Sequence, residues 1–436
     1  MTDISRFYDD IYDYLKDITI IDTHEHIPTN EKYRDQDTDI IKEYLNYYFC
    51  SDLASAGYKN YEYATDTSQP IMDRWLDMEP YWNIARYTGY GRSLDYTAKL
   101  LYGIDRLNRD TIEEANKRYM DAFRKGDHYQ YVLKDVGHIA INVREISLPD
   151  LYDDIDTRYT NCAMRMDNFI YPKTGADIIA VEKFTKIRIT CLADWLEACE
   201  YVLEDAFSRD YVVALKTEAA YERTLYFDTV TYADAEREFS TIFHVGGQYC
   251  RADEVYAVGK NFQDYMMHFL CRWANKRGLP FQIHTGLQEG NSNNITNGDP
   301  TLLVNLFNQY KDVKFDVFHI GYPYQHKMSA LAKVFPNVFV DLCWAHIISP
   351  TACVNTICEW ADSVPMNKFN GFGGDYCFID GVAGHQLMAR QNISRALAIK
   401  VGEGLFDVDE AKHIGKMMLY DTPKKLFNIK DKYAVL

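Results

Sequence analysis

The sequence lacks CxxC cysteine pairs, long apolar runs and an apolar leader. Its ten cysteines are single and scattered, which predicts reduced thiols rather than a disulfide framework or a zinc ribbon. No run approaches the roughly 18 apolar residues that a membrane span requires. The residues from Met1 to Asp17 contain no basic region followed by an apolar stretch, so no signal peptide is indicated. We therefore expect a cytoplasmic protein with no membrane partner.

Positive charge is also scarce. The 436 residues hold 47 Lys and Arg against 64 Asp and Glu, which gives a formal net charge of −17. Because no basic block stands out, binding to nucleic acid has little electrostatic support, and we expect a small-molecule substrate. With 47% hydrophobic and 14% aromatic residues, the chain can bury a substantial core. Whether it forms a homo-oligomer stays open.

Short runs rich in Val, Ile and Phe alternate with helical stretches, as in βαβ units on a parallel sheet. Eight runs predict strands, at 18–24, 136–143, 162–169, 211–216, 280–285, 313–319, 337–343 and 369–375. Helices are predicted between the later strands, at 251–277, 299–310, 325–335, 350–361 and 384–402. This alternation predicts an α/β fold, the (β/α)8 TIM barrel, in which catalytic groups collect at the carboxyl ends of the strands.

Two long insertions interrupt the alternation, residues 30–130 after the first strand and 217–279 after the fourth. Structureless loops of this length are uncommon in compact domains, so we expect both to be mostly helical. We expect residues 30–130 to form a helical cap over the barrel mouth. No repeat, low-complexity tract or linker divides the chain, which favours a single domain over residues 1–436.

The first strand ends in "THEHI", which places His24 and His26 two residues apart. In a strand these two side chains point to the same side, while Glu25 points away from it. Two imidazoles so placed can hold one borderline divalent cation such as zinc. Asp22 shares their side but lies one layer deeper, so we expect it to orient a ligand rather than to bind metal.

Three later strands also close on a single residue of a ligand type. "PFQIHTG" closes on His284, "VKFDVFHIG" on His319 and "FNGFGGD" on Asp375. A lone buried histidine is more often a hydrogen-bonded core residue, but several strand-end ligands in one chain are hard to obtain by accident. Four imidazoles and a carboxylate therefore predict a metal site at the barrel mouth.

The order of these motifs resembles the amidohydrolase superfamily. That superfamily has HxH on the first strand, lysine or another bridging group on the fourth, histidines on the fifth and sixth, and aspartate on the eighth. The matching positions here are His24, His26, Lys216 of "VVALKTEA", His284, His319 and Asp375. The resemblance runs from about residue 18 to the C-terminus, where "MLYDTPKKLFNI" (418–429) is similar to the closing helix of the superfamily.

Placement within the superfamily stays open. "THEHI" and the lysine on the fourth strand resemble the phosphotriesterase-like branch, whose lysine is carboxylated and bridges two metals. The stretches "LKTEAAYERTLYF", "FHIGYPY" and "DLCWAHIISP" are more similar to the amidohydrolase-related group near uronate isomerases and the amidohydrolase-like half of fungal FluG proteins. Uronate isomerases proper have different residues around their later strands, so their activity is not carried over.

The resemblance and the strand geometry together imply that His24, His26 and Asp375 bind one divalent metal, with zinc as the expected ion. If Lys216 is carboxylated, it would bridge to a second metal held by the two later histidines. If it is not, its ammonium would repel a metal, and the site would hold one ion. A free Lys216 could instead clamp a substrate carboxylate.

The chemistry expected of this site follows from the metal. A bound divalent ion lowers the pKa of its water toward about 7 and polarises the carbonyl to be attacked. Asp375 could take a proton from that water and deliver it to the leaving group. His319, or His284 in a one-metal site, would polarise the substrate carbonyl or stabilise the developing oxyanion.

Three further residues are candidates for contact with substrate. Arg223 lies just beyond Lys216 and is suited to bidentate recognition of a carboxylate, although an ion pair with a nearby acid explains it equally well. Tyr322 and Trp344 follow the sixth and seventh strands, where aromatic side chains either line a pocket or pack under loops.

The function expected from the sequence is metal-dependent hydrolysis of an amide, lactone or ester bond in a small polar or carboxylated substrate. A metal-dependent decarboxylase or a sugar-acid isomerase is the alternative, since related sites support both. A non-catalytic metal-binding protein would have little need for Asp375 beside the ligand histidines. The substrate itself stays open, because specificity resides in the loops and the insertion.

Overall fold

The computed structural model describes residues 2–172, 175–241 and 259–436. Eight strands form one parallel sheet in chain order, each paired with the next. They are β1 (Ile20–Glu25), β2 (Ile139–Ile146), β3 (Thr160–Arg165), β4 (Val212–Thr217), β5 (Pro280–Ile283), β6 (Lys314–Val317), β7 (Val338–Asp341) and β8 (Phe369–Asn370). All eight overlap the predicted strands, although their bounds differ.

Backbone hydrogen bonds join β1 to the residues that follow β8. Thr23 N donates to Phe372 O at 3.0 Å, and Asp375 N donates to His24 O at 2.9 Å. The sheet therefore curls into a nearly closed barrel, and the predicted TIM-barrel fold is confirmed. Almost every strand residue is buried, because the strands face the barrel interior on one side and helices on the other.

The later strands are shorter than predicted. β5, β6 and β7 have four residues each and β8 has two, so His284, His319 and Asp375 lie past the regular ladders. His319 and Asp375 adopt left-handed backbone conformations, with φ of 62° and 58°. This conformation is incompatible with an extended strand, so the chain turns at these two ligand-type residues.

Helices surround the sheet and also fill the first insertion. Their bounds are Thr2–Leu15, Ile40–Leu45, Phe49–Ser55, Tyr61–Thr65, Ile71–Ala85, Gly89–Tyr102, Ile112–Lys125, Asp167–Ile170, Gly175–Thr185, Leu192–Phe207, Tyr232–Thr241, Lys260–Asn275, Val304–Gln309, Gln325–Val334, Ala345–Ile348, Pro350–Ser363, Ile379–Gly402, Val408–Lys416 and Thr422–Leu426, with π-helical turns at Gln130–Val136 and Met417–Asp421. Within the described part of the chain, no helix combines the length and apolarity needed to cross a membrane.

The predicted helices differ from the observed ones in detail. The helix expected at 384–402 begins five residues earlier, at Ile379. Gly384, inside this helix, allows a close contact, because a Cβ there would meet Ser93 O at 2.1 Å. Residues 299–310 form a 3-10 turn and a short α-helix. Of the helix expected at 251–277, Lys260–Asn275 is observed, and 251–258 lie outside the described residues.

The first insertion contains the helices between Ile40 and Lys125 and contacts residues at the carboxyl ends of the strands. Tyr47 places its ring 6.3 Å from that of His26, and Tyr48 Oη donates to Asp375 O at 2.6 Å. The division of the chain into one domain with a cap at 30–130 stays a prediction. The nine cysteines that the structure describes are free thiols, and Cys250 lies outside the described residues.

Candidate metal centre

Three ligand-type side chains meet where β1 ends beside the residues that follow β8. His24 Nε2 lies 3.2 Å from His26 Nε2, and Asp375 Oδ1 lies 3.5 Å and 3.1 Å from these two nitrogens. His24 is fully buried, His26 is partly exposed, and Asp375 is 5% exposed. The parity of the strand brings the two imidazoles to one side, and β8 delivers the carboxylate to them.

These separations can be tested against the geometry of a bound ion. Zinc bonds to imidazole nitrogen and carboxylate oxygen at about 2.0–2.1 Å, and tetrahedral angles then place the donor atoms about 3.3 Å apart. The three observed separations, 3.1 to 3.5 Å, match this spacing. The nitrogen and oxygen donors also suit a borderline divalent ion. His24, His26 and Asp375 therefore fit a divalent metal.

Asp22 supports these ligands from the layer beneath. Its Oδ1 accepts hydrogen bonds at 3.1 Å from the backbone N–H groups of His24 and of Gly374. These two groups belong to a ligand residue and to the neighbour of Asp375. Asp22 thus bonds the backbone of β1 and the backbone of the segment that follows β8, on either side of the candidate ligands.

His284 and His319 form a second pair of imidazoles. His284 Nε2 lies 2.8 Å from Leu287 O and His319 Nδ1 lies 3.0 Å from Cys343 O, so we assign the N–H groups to these two nitrogens. The remaining nitrogens, His284 Nδ1 and His319 Nε2, lie 3.0 Å apart with their lone pairs facing. With these tautomers neither nitrogen has a hydrogen to donate, so the pair could take up one proton or one cation. Burial lowers the pKa of His319 to about 4.

Lys216 lies among acids rather than alone. Its Nζ is 3.3 Å from Glu145 Oε2, 3.7 Å from Glu218 Oε1 and 3.0 Å from His24 Nε2. Arg165 bonds the same two glutamates at 2.6 and 2.8 Å. Two cations and two carboxylates thus form a compact ion-pair network beside the histidines. Burial would lower the pKa of Lys216, but the two glutamates raise it above its usual value.

The electrostatics leave His24, His284 and Asp375 in the forms that bind a cation. Burial would lower the pKa of His26, but its hydrogen bond to Asp375 and the nearby carboxylates raise it, so this ring must lose its proton when a metal binds. Burial, followed by the charge of Lys216, lowers the pKa of His24 well below its usual value. Burial does the same to the pKa of His284. Both imidazoles are therefore neutral at neutral pH. Burial would raise the pKa of Asp375, but the His26 hydrogen bond and other nearby charges hold it below its usual value, so this side chain is a carboxylate.

A cavity of about 420 Å³ opens beside this network. Its lining residues come from the ends of β3 and β4 and the segments that follow them: Arg165, Asp167, Asn168, Tyr171, Asp177, Glu218, Tyr221 and Glu222. Glu218 Oε1 lies 3.9 Å from His26 Nε2, and the Tyr221 ring centroid is 4.7 Å from that of His284. The cavity therefore has room for a small polar molecule next to the candidate ligands.

The three candidate substrate contacts occupy different environments. The Arg223 guanidinium bonds Asp264 Oδ1 at 2.7 Å, and its three nitrogens also donate to Thr224 O, Gln263 Oε1 and Tyr226 O. This is the ion pair that was the alternative explanation. Tyr322 is half-buried against the core. Trp344 is buried and meets the His319 ring edge-on, with centroids 5.1 Å apart. Their contact with substrate stays a prediction.

Sequence inspection missed Glu145, Arg165, Glu218 and Tyr48. The first two end β2 and β3, and Glu218 stands two residues after Lys216, so the strand-end criterion used for the histidines could have found all three. Nothing in the sequence signals Tyr48, because its contact with Asp375 joins residues 327 positions apart.

Comparison with known proteins supports the resemblance that the motifs indicate. Residues 239–428 match the amidohydrolase family model, a span that contains His284, His319 and Asp375. The chain is also similar to the FluG protein of Emericella nidulans, with 26% identity over 153 residues. That alignment covers 35% of this chain and 18% of the length of FluG.

Several solved structures share the fold. A uronate isomerase from Thermotoga maritima is 17% identical, with a TM-score of 0.79 and 97% of each chain covered. A glucuronate isomerase from Caulobacter crescentus is 16% identical, with a TM-score of 0.77 over 98% of this chain and 95% of the other. A candidate metal-dependent hydrolase from Lactobacillus casei is 16% identical, with a TM-score of 0.66 over 97% and 98%. At these identities the likeness shows the fold alone.

Proposed function

We propose that this chain, whose residues 239–428 match the amidohydrolase family, is a metal-dependent hydrolase of small polar substrates. The observation that carries the proposal is the donor set of His24, His26 and Asp375, with separations of 3.1 to 3.5 Å beside an open cavity. Zinc is the ion that best suits two imidazoles and one carboxylate.

One ion, rather than two, is the occupancy that we propose. A second ion would need Lys216 as a bridging carbamate, and that group carries a negative charge. Glu145 and Glu218 already lie 3.3 and 3.7 Å from Nζ, where they would repel a carbamate but stabilise an ammonium. The ammonium in turn disfavours a second cation at this position, and because its Nζ also lies 3.0 Å from His24 Nε2, it must turn toward the two glutamates when the first ion binds.

A divalent ion held by His24, His26 and Asp375 would lower the pKa of a water molecule to about 7 and polarise the bond under attack. Asp375, an ionised carboxylate, would accept a proton from that water and pass it to the leaving group. In a one-metal centre, His284 Nδ1 and His319 Nε2, 3.0 Å apart, are both free to accept a proton. When one of them is protonated, its N–H would donate a hydrogen bond to the oxygen that gains negative charge. Glu218 and Arg165 hold polar groups of the substrate in the cavity.

A second candidate is the isomerisation of a sugar acid. Glu218 supports it, because this carboxylate lines the cavity and could move a proton between adjacent carbons of a substrate. The uronate isomerases with the same fold make such substrates worth including in the tests. An isomerase leaves the mass of the substrate unchanged, whereas a hydrolase adds the elements of water.

The test combines metal analysis with a substrate panel. The full-length protein, purified under metal-replete conditions, should hold about one divalent metal per chain by elemental mass spectrometry. Lactones, N-acyl amino acids and uronates are then assayed by mass spectrometry of the products. Asp375→Asn should lower kcat at least about 100-fold, because it removes the acid–base carboxylate. Asp362→Asn, the same change at an exposed carboxylate that pairs with the buried Lys400, should leave kcat unaltered.

Four results would contradict the proposal. Absence of metal under metal-replete conditions would remove the centre itself. Release of carbon dioxide would indicate a decarboxylase, and a product of unchanged mass would indicate the isomerase. Full activity of Asp375→Asn would show that the proposed proton transfer is wrong.

A further inference from the structure

Tyr48, from the helical insertion, bonds the backbone of a proposed metal ligand. Its Oη donates to Asp375 O at 2.6 Å, and its side chain is 2% exposed. The residue stands at the start of helix Phe49–Ser55, far from β8 in the chain. A hydroxyl of the insertion thus reaches the main chain of the barrel at the ligand itself.

Asp375 needs such support because of its backbone conformation. Its φ of 58° lies in the left-handed region, which is unfavourable for an L-residue, although Asp tolerates it better than most residues do. The N–H groups around it are bonded by β1: Gly374 N to Asp22 Oδ1, Asp375 N to His24 O, and Tyr376 N to Glu25 Oε2. The hydrogen bond from Tyr48, in the helical insertion, holds the backbone carbonyl of Asp375 itself.

The Tyr48 ring cannot easily move away from this bond. It stacks on Tyr90 with centroids 5.1 Å apart and on Trp344 at 4.6 Å, with interplanar angles of 18° and 17°. Trp344 in turn lies edge-on to His319. Stacked rings of this kind hold a side chain in one orientation, so the direction of the Tyr48 hydroxyl is set by its neighbours.

We propose that Tyr48 is a positioning residue for Asp375. Its hydroxyl fixes the backbone carbonyl of Asp375. This keeps the Asp375 carboxylate 3.1 Å from His26 Nε2 and 3.5 Å from His24 Nε2. The inference rests on the proposed role of Asp375 as a metal ligand. It assigns to the insertion a part in the metal centre, beyond the expected role of covering the barrel mouth.

The test uses Co²⁺ as the probe, because its visible absorption reports ligand geometry. Metal-free full-length protein is titrated with Co²⁺, and the affinity and the absorption spectrum are compared for the wild type, Tyr48→Phe and Tyr90→Phe. Loss of a group that orients a metal ligand typically weakens metal binding about 10–100-fold. Tyr48→Phe should therefore bind Co²⁺ at least about 10-fold more weakly, with an altered spectrum and a lowered kcat at unchanged KM.

Tyr90→Phe is the matched control. It removes one hydroxyl from the same aromatic stack, and Tyr90 contacts Tyr48 and Trp344 through its ring. It should bind Co²⁺ as the wild type does. The Co²⁺-induced rise in Tm gives the same comparison if Tyr48→Phe is poorly produced.

Two results would overturn the inference while leaving the metal centre in place. Wild-type affinity and spectrum in Tyr48→Phe would show that the hydroxyl does not position Asp375. Equal losses in both tyrosine variants would show a general packing effect. A wild-type protein that binds no Co²⁺ would overturn the proposed function, and this inference with it, so the two failures are distinguishable.

Discussion

Replacing Lys216 by methionine should destabilise the fold by about 3–5 kcal/mol. Lys216 is 1% exposed and Glu145 5% exposed, with Nζ and Oε2 3.3 Å apart. At an effective dielectric constant of about 20, their attraction is about 5 kcal/mol before desolvation is counted. Removing one partner of such a pair leaves the other charge buried and uncompensated. Arg165 still bonds both glutamates, which favours the lower end of the range.

The assay is urea unfolding followed by circular dichroism at pH 8 and pH 5. Glu145→Gln and the Lys216→Met/Glu145→Gln double variant complete a double-mutant cycle. The double variant should recover much of the lost free energy of unfolding, because no buried carboxylate is then left unpaired. Burial and Glu218 already raise the pKa of Glu145, and loss of Lys216 raises it further.

The sign of the pH effect follows from that shift. A carboxyl group whose pKa is higher in the folded state than in the unfolded state binds more protons when folded, so its contribution to stability falls as pH rises. The deficit of Lys216→Met should therefore be larger at pH 8 than at pH 5. A loss below about 1 kcal/mol at both pH values would refute the ammonium assignment. The assignment would also be refuted by an intact protein mass that includes one added carbon dioxide. Recovery of activity in Lys216→Ala on addition of short carboxylic acids would refute it as well.

Two further predictions concern the framework. Gly384→Ala should lower the free energy of unfolding by about 1–3 kcal/mol, because its Cβ would meet Ser93 O at 2.1 Å. In the same helix, Gly402→Ala meets only the movable Ile4 side chain at 3.0 Å, so its Tm should change little; equal Tm values for both variants would contradict this. Burial raises the pKa of Asp316 to about 7. Because the unfolded value is about 3.9, this residue should make the protein less stable as pH rises from about 4 to 7. Asp316→Asn should flatten that dependence in urea unfolding, and an unchanged slope would contradict the assignment.

The barrel and the candidate ligands were predictable because their signals are local. An apolar run that ends in one polar residue can be recognised within about ten positions. His24 and His26 are related by strand parity alone. His284, His319 and Asp375 each follow such a run, and the structure gathers all five at one end of the barrel.

The rest depends on contacts that no short window contains. Arg165 lies on β3, but its bonds go to Glu145 on β2 and to Glu218 after β4. Whether Lys216 is an ammonium depends on these glutamates, which is why the sequence left its state open. Arg223 was a candidate substrate contact because of its place after β4, and its ion pair with Asp264, on the helix Lys260–Asn275, could not be identified from that place alone.

The metal centre also depends on parts of the chain that lie outside the family match. Residues 239–428 contain Asp375, but His24, His26 and Tyr48 belong to the first insertion and the strand before it. Closure of the barrel brings the ligands together, since Asp375 N bonds His24 O and Tyr48 holds the Asp375 carbonyl. A fragment limited to 239–428 would keep the carboxylate and lose both imidazoles with their supporting hydroxyl. Metal binding should therefore depend on the fold of the whole chain, because residues of the first half of the chain support the left-handed conformation of Asp375.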